Sequence, residues 1–224
     1  MDDFQFLAFS LEKIPYVVAV LAIAFTVHEF AHAYVAYKFG DPTAKKQGRL
    51  TLSPLAHLDP IGTILIFIAG FGWARPVPVN RSYFKKPRLA GVLVSVAGPI
   101  SNLLIAFIGL AIWYAMLRFG VVEGLSSQVG DIFYNFIEML VWLNVLLFLF
   151  NLLPFPPLDG YRIIEDLVPA DVRAKMTKFE SYGVLIFLLF VFTPLDKYTI
   201  QPVFQYGIPS VIGFLDSILA PILL

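Results

Sequence analysis

Residues 14–38 read IPYVVAVLAIAFTVHEFAHAYVAYK, an apolar run carrying three ionisable groups, His28, Glu29 and His32, in its second half. At about 1.5 Å per residue a helix over this stretch is long enough to cross about 30 Å of hydrocarbon with some tilt. Gly40-Asp41-Pro42 stops it. Three ionisable side chains inside such a span cost several kcal/mol unless they face a polar cavity or ligate something. The run therefore reads as a membrane span that also seats a functional site. Met1-Asp2-Asp3-Phe4 lacks the basic n-region of a signal peptide, so the helix is expected to be retained.

Composition supports the same class. The 224 residues are 58% hydrophobic and 14% charged, against roughly 25% charged in soluble domains. Sixteen basic residues balance sixteen acidic ones, which gives no global field for a nucleic-acid partner. The absence of cysteine excludes disulfides, thiolate metal ligands and a thiol nucleophile.

Further spans are predicted at 89–118, at 131–153 ending before Pro154, and at 182–195 and 203–224. Residues 60–72, PIGTILIFIAGFG, are too short and glycine-rich for a span and read as a re-entrant element. Both flanks are basic, with Lys45, Lys46 and Arg49 before and Arg75, Arg81, Lys85, Lys86 and Arg88 after. A crossing would put one basic flank outside the cytoplasm, against the positive-inside bias. The expectation is an all-α polytopic membrane protein over 1–224, a single domain with five to six transmembrane helices. A short re-entrant, β-like element lies between the first helix and the 89–118 helix. The N-terminus faces outside, and Phe119–Gly130, with Glu123 and no basic residue, forms an exterior loop.

His28-Glu29-Phe30-Ala31-His32 is an H-E-x-x-H motif. A four-residue spacing turns about 400° and rises about 6 Å, so both imidazoles lie on one face and can bind one metal ion. Glu29 falls beside that face, placed to take a proton from water activated by a zinc ion and to deliver it to a leaving amine. An interhelical hydrogen-bond cluster is the non-catalytic alternative. A catalytic zinc needs a third protein ligand, and the remaining histidine is His57. Asp159 is the candidate, because Pro154, Pro156 and Pro157 unwind the chain before it and six residues can turn back by up to about 20 Å. Glu165 is the alternative third ligand. His28 and His32 in the cytoplasmic half of one helix can meet Asp159 at the cytoplasmic end of another only if 60–72 does not cross.

His28-Glu29-Phe30-Ala31-His32 on one membrane helix, Ala97-Gly98-Pro99-Ile100-Ser101-Asn102 on the next and Asn151 through Gly160 at the end of a third resemble the site-2 protease family of intramembrane zinc metalloproteases. The similarity covers most of residues 20–165 in order. It implies His28, His32 and Asp159 as ligands of one zinc ion per chain and Glu29 as the base. Asn151 would lie near the site, to hold substrate or stabilise the oxyanion. Asn102 and His57 are further candidates for substrate contact, beside interhelical packing as the other reading of Asn102 and an interfacial structural role as that of His57. The resemblance is to short prokaryotic forms without attached soluble domains. It implies hydrolysis of peptide bonds within or near transmembrane segments of single-span membrane proteins, regulated intramembrane proteolysis, in a prokaryotic cell membrane with the active site toward the cytoplasm. The partners would then be substrate and lipid bilayer, with no nucleic acid; the sequence does not set the oligomeric state. Two other readings stand beside it: a membrane zinc protease acting on unfolded or soluble chains, and a non-catalytic metal-binding or transport protein. Gly48–Ser53 alternates in the manner of a strand and is expected to offer an edge to an unwound substrate.

Overall fold

The first helix, α1 (Ile14–Lys38), carries Pro15 in its first turn, where a missing N–H costs nothing. Gly40, at φ 102°, ends it by turning the backbone back so that the Gly40 and Asp41 amides donate to the Tyr37 and Ala36 carbonyls. A short helix α2 (Thr43–Lys46), the ten-residue α3 (Pro60–Ala69), and the long α4 (Pro87–Arg118) and α5 (Ser127–Asn151) follow. Beyond a break come α6 (Asp159–Leu167), α7 (Ala170–Glu180), α8 (Gly183–Phe192), α9 (Asp196–Thr199) and α10 (Gln201–Leu223). This computed structural model describes residues 9–69 and 72–223. The acidic start Met1–Phe4, two residues of the 60–72 element and residue 224 lie outside the described residues.

Among the described residues four helical stretches are long and apolar enough to cross a membrane: Leu11–Lys38, Pro87–Arg118, Ser127–Asn151 and Asp196–Leu223. The chain is an integral membrane protein. α1, α4 and α5 pack on one another, and α10 packs on α4 and α5. Their shared core includes Val17, Val20 and Ala24 of α1, Ala106 and Leu110 of α4, Leu140 and Val145 of α5, and Leu215 of α10. On α4 the exposed side chains Ile100, Leu104, Ile108 and Ile112 recur every fourth residue, each 45–54% exposed. Such a stripe of aliphatics facing outward suits lipid and not water.

The expected span at 182–195 is instead α8, ten residues and about 15 Å, half the hydrocarbon thickness. It lies along the break that follows α5. Gly183 lies against Pro156, Phe190 packs on Phe155 with ring centroids 4.5 Å apart, and Ile200 shares a cluster with Leu153 and Leu158. The chain thus comes back to the end where α5 stops before α10 begins, with Gly207 against Leu149.

The two flanks of α3 also meet. Leu58 and Ala74 form an antiparallel bridge, and the Arg75 amide donates to the His57 carbonyl at 2.8 Å, so the chain enters and leaves α3 at the same level. Gly62 is required there, since a methyl group on it would lie 2.2 Å from the Trp73 carbonyl oxygen. That bridge is the β-like contact between α1 and α4. Residues 48–53 do not form the strand their alternation suggests. His57 Nε2 donates to the Thr51 carbonyl at 2.8 Å, and Thr51 Oγ1 accepts from the Ser53 amide at 3.2 Å, which bends this stretch into a turn.

Candidate active site

His28, Glu29 and His32 are all buried on α1, at its contact with α4. Gly98 of α4 makes the space they occupy. A methyl group there would lie 2.3 Å from His32 Nε2 and 2.6 Å from His28 Nε2, so only a residue without a side chain lets the imidazoles stand against this helix.

Asp159 reaches them because α5 stops at Asn151 and the chain folds back through Leu152–Leu158, whose prolines cannot continue a helix. Asp159 is then the first residue of α6. α6 packs on α4, and its Asp166 ion-pairs with Arg81, in the segment before α4, and, at 3.3 Å, with Arg173 of α7. Gly91 of α4 gives Asp166 its room, since a methyl group there would meet Oδ2 within 2.0 Å.

The donor atoms converge. Nε2 of His28 lies 2.9 Å from Nε2 of His32, and Oδ2 of Asp159 lies 3.2 and 3.3 Å from them. Donors about 2.0–2.1 Å from a tetrahedral zinc stand about 3.3–3.4 Å apart, close to this spacing. The tautomers point the same way. His28 Nδ1 faces the Asn102 side-chain oxygen at 2.7 Å and His32 Nδ1 faces the Val94 carbonyl at 2.7 Å. Each acceptor requires the proton on Nδ1, which leaves both Nε2 atoms as lone pairs aimed inward. Asp159 Oδ2 is buried with no hydrogen-bond partner. Two imidazole lone pairs and a carboxylate oxygen in such proximity repel one another unless a cation lies among them, so the residues fit a divalent metal.

Behind His28 runs an amide relay. Asn102 Nδ2 donates to Asn144 Oδ1 at 2.9 Å, and Asn144 Nδ2 donates to the Leu140 carbonyl of its own helix at 2.8 Å. Both asparagines are fully buried. Asn102 therefore orients a histidine from behind. Asn144 was not singled out from sequence, although an amide in an apolar span one heptad before Asn151 is a legible signal.

Glu29 has one carboxylate oxygen, Oε2, accepting from the Val77 amide at 2.8 Å. It opens on a cavity of about 940 Å³ that His28, His32 and Asp159 also line. Phe25, Leu65, Trp73, Leu147 and Leu188 make much of its wall apolar, while Asn151 and Arg162 add polar groups. Asn151 donates to the Leu147 carbonyl at 2.9 Å. His57 lies apart from the residues lining this cavity, wholly buried and bonded to Thr51. Glu165 is turned away from the histidines, accepting from the Thr177 hydroxyl at 2.6 Å and lying 3.9 Å from Arg81. Among the described residues the group that could hold a metal is thus His28, His32 and Asp159. Arg81, part of the basic flank that follows residues 60–72, ion-pairs with Asp166.

Comparison with known proteins places the chain in a family. Residues 16–194 match the model of peptidase family M50. The chain is 58% identical to the "Putative zinc metalloprotease YwhC" of Bacillus subtilis, over 98% of its own length and 99% of the relative's. It is 28% identical to a protein of the same description, Rip2, from Mycolicibacterium smegmatis, over 85% of this chain and 72% of that one. Rip2 of Mycobacterium tuberculosis strain H37Rv is 30% identical over 79% of this chain and 66% of its own. No solved structure matches the chain. The family model covers most of the chain and one relative is more than half identical over nearly the full length, and the chain belongs to peptidase family M50, the site-2 protease family of membrane zinc metalloproteases.

Proposed function

We propose that this metalloprotease cleaves single-span membrane proteins at peptide bonds within or beside their transmembrane segments, from the cytoplasmic side of a prokaryotic cell membrane. The observation that carries the reading is that His28, Glu29 and His32 on a membrane-spanning helix and Asp159, beyond the break that follows another, line one cavity with a largely apolar wall. Such a cavity offers an apolar segment surroundings comparable to lipid while giving its reacting bond polar partners. The basic flanks of residues 60–72 support a cytoplasmic site.

In this assignment His28, His32 and Asp159 hold the zinc. When bound, zinc polarises the scissile carbonyl and makes water nucleophilic near neutral pH. Glu29 takes the proton of the attacking water and returns it to the departing nitrogen. Asn102 and Asn144 hold His28 in the tautomer that presents Nε2. The Asn151 amide, on the cavity wall, is the group available to orient substrate.

The test is cleavage in proteoliposomes, wild type against Glu29→Gln, over a panel of single-span proteins, with products mapped by mass spectrometry. Zinc-dependent, Glu29-dependent cuts within or next to the apolar segment are expected. Cleavage of added casein with every panel member intact would instead make unfolded soluble chains the substrates.

A further inference from the structure

Arg49 follows α2 and is buried, 7% exposed. One terminal nitrogen donates to the Arg75 carbonyl at 2.6 Å, while Nε has no partner. Two residues further, the Val77 amide is the one that donates to Glu29 Oε2. Arg75 and Val77 belong to a strap without helix, residues 73–80, that lines the cavity between the Leu58–Ala74 bridge and the Asn80 amide, which donates to Asp41 at 2.6 Å. Pro76 and Pro78 have no N–H and confine the residues before them, Arg75 and Val77, to extended backbone. Fixing the Arg75 carbonyl therefore fixes where the Val77 amide points.

A buried guanidinium needs a counter-charge. The carboxylate that acts on this one is Glu29. Burial lowers the Arg49 pKa from the usual guanidinium range, Glu29 opposes that shift, and Arg75 adds to it. Arg49 thus reaches Glu29 in two ways, through its charge and through the strap it holds.

We infer that Arg49 is a positioning residue for the catalytic carboxylate: by clamping the Arg75 carbonyl it aims the Val77 amide at Glu29 Oε2, so that one oxygen is held while the other carries the proton. This deepens the function proposed above and rests on it for the role of Glu29.

The chain has no cysteine, so Ala74→Cys gives a unique thiol in the strap beside Arg75. In purified, zinc-loaded Ala74→Cys protein, adding Arg49→Met should raise the maleimide labelling rate about tenfold, and adding Arg49→Lys should raise it less. On a fluorescence-quenched peptide spanning the bond mapped with the panel, Arg49→Met should lower kcat about tenfold with KM within about twofold. Zinc should stay at one per chain, and lysine should restore part of kcat. Val77→Pro removes the amide donor without touching Arg49 and should lower kcat similarly. Unchanged labelling and kcat in Arg49→Met would overturn the inference. So would loss of its zinc or a collapse of its Tm, because the arginine would then be supporting the fold. If no panel member is cleaved, the substrate reading fails, while the labelling comparison still decides whether Arg49 fixes the strap.

Discussion

Replacing Gly98 with alanine adds one carbon to a helix, yet it should empty the metal centre. The added methyl would stand 2.3 Å from His32 Nε2, 2.5 Å from His28 Cε1 and 2.6 Å from His28 Nε2. Ordinary van der Waals contact begins near 3.4 Å, so α1 and α4 must part, or the imidazoles rotate, by about 1 Å. Metal–ligand distances tolerate only about 0.2 Å. A shift several times that size should weaken zinc binding by about 100-fold or more, about 2.7 kcal/mol. Within a helix, alanine is favoured over glycine by roughly 0.5–1 kcal/mol, so the backbone itself gives no reason for the variant to unfold. The assay is zinc stoichiometry by mass spectrometry after dialysis against a graded chelator, with Tm measured on metal-free protein of both forms. Wild-type zinc retention and turnover in Gly98→Ala would refute the packing argument and, with it, the place of His28 and His32 at the centre.

Other perturbations separate the remaining roles. Glu29→Gln should keep zinc at one per chain and lower turnover about 10²–10⁴-fold, read as initial rate against metal content. Asp159→Asn should lose zinc and activity together, whereas Glu165→Ala, which breaks the contacts to Thr177 and Arg81, should keep zinc; a reversal of that order in metal analysis would make Glu165 the ligand. Asn102→Leu removes the acceptor of His28 Nδ1 and leaves Asn144 without its donor, so zinc affinity should fall about 10–100-fold. Metal-free stability should fall by about 1–3 kcal/mol, measured by denaturation in detergent.

Much of this site was legible along the chain because its chemistry sits in unlikely places. His28, Glu29 and His32 stand out where lipid makes ionisable groups costly, and a triple-proline break beside Asp159 has no use in a straight span. Asn102 was legible as a buried amide but not as the partner of His28, since an amide's partner depends on which helix crosses it and at what height. Arg49 and Val77 carried no mark of their own: one reads as part of a basic flank, and the other contributes through its backbone amide. The strand expected over 48–53 failed because alternation records which side chains could face outward, while His57 claims the Thr51 carbonyl for a turn. The span expected at 182–195 failed for a related reason. Apolarity there is real, but ten helical residues cannot cross, and contacts with Pro156 and Phe155 bring the segment back.

By itself the sequence determined the solvent and the reacting groups: long apolar runs exclude water, and an H-E-x-x-H spacing puts two imidazoles on one helical face whatever surrounds them. Both follow from local periodicity and transfer free energy, which need no knowledge of distant residues. Only the tertiary structure decided that Asp159 and not Glu165 meets those imidazoles, that Asn102 and Asn144 stand behind them, and that a strap from beyond α3 lies on Glu29. These are meetings of segments far apart in the chain, set by a helix break, by glycines that let α4 approach, and by ion pairs that tie α6 to α7 and to the segment before α4.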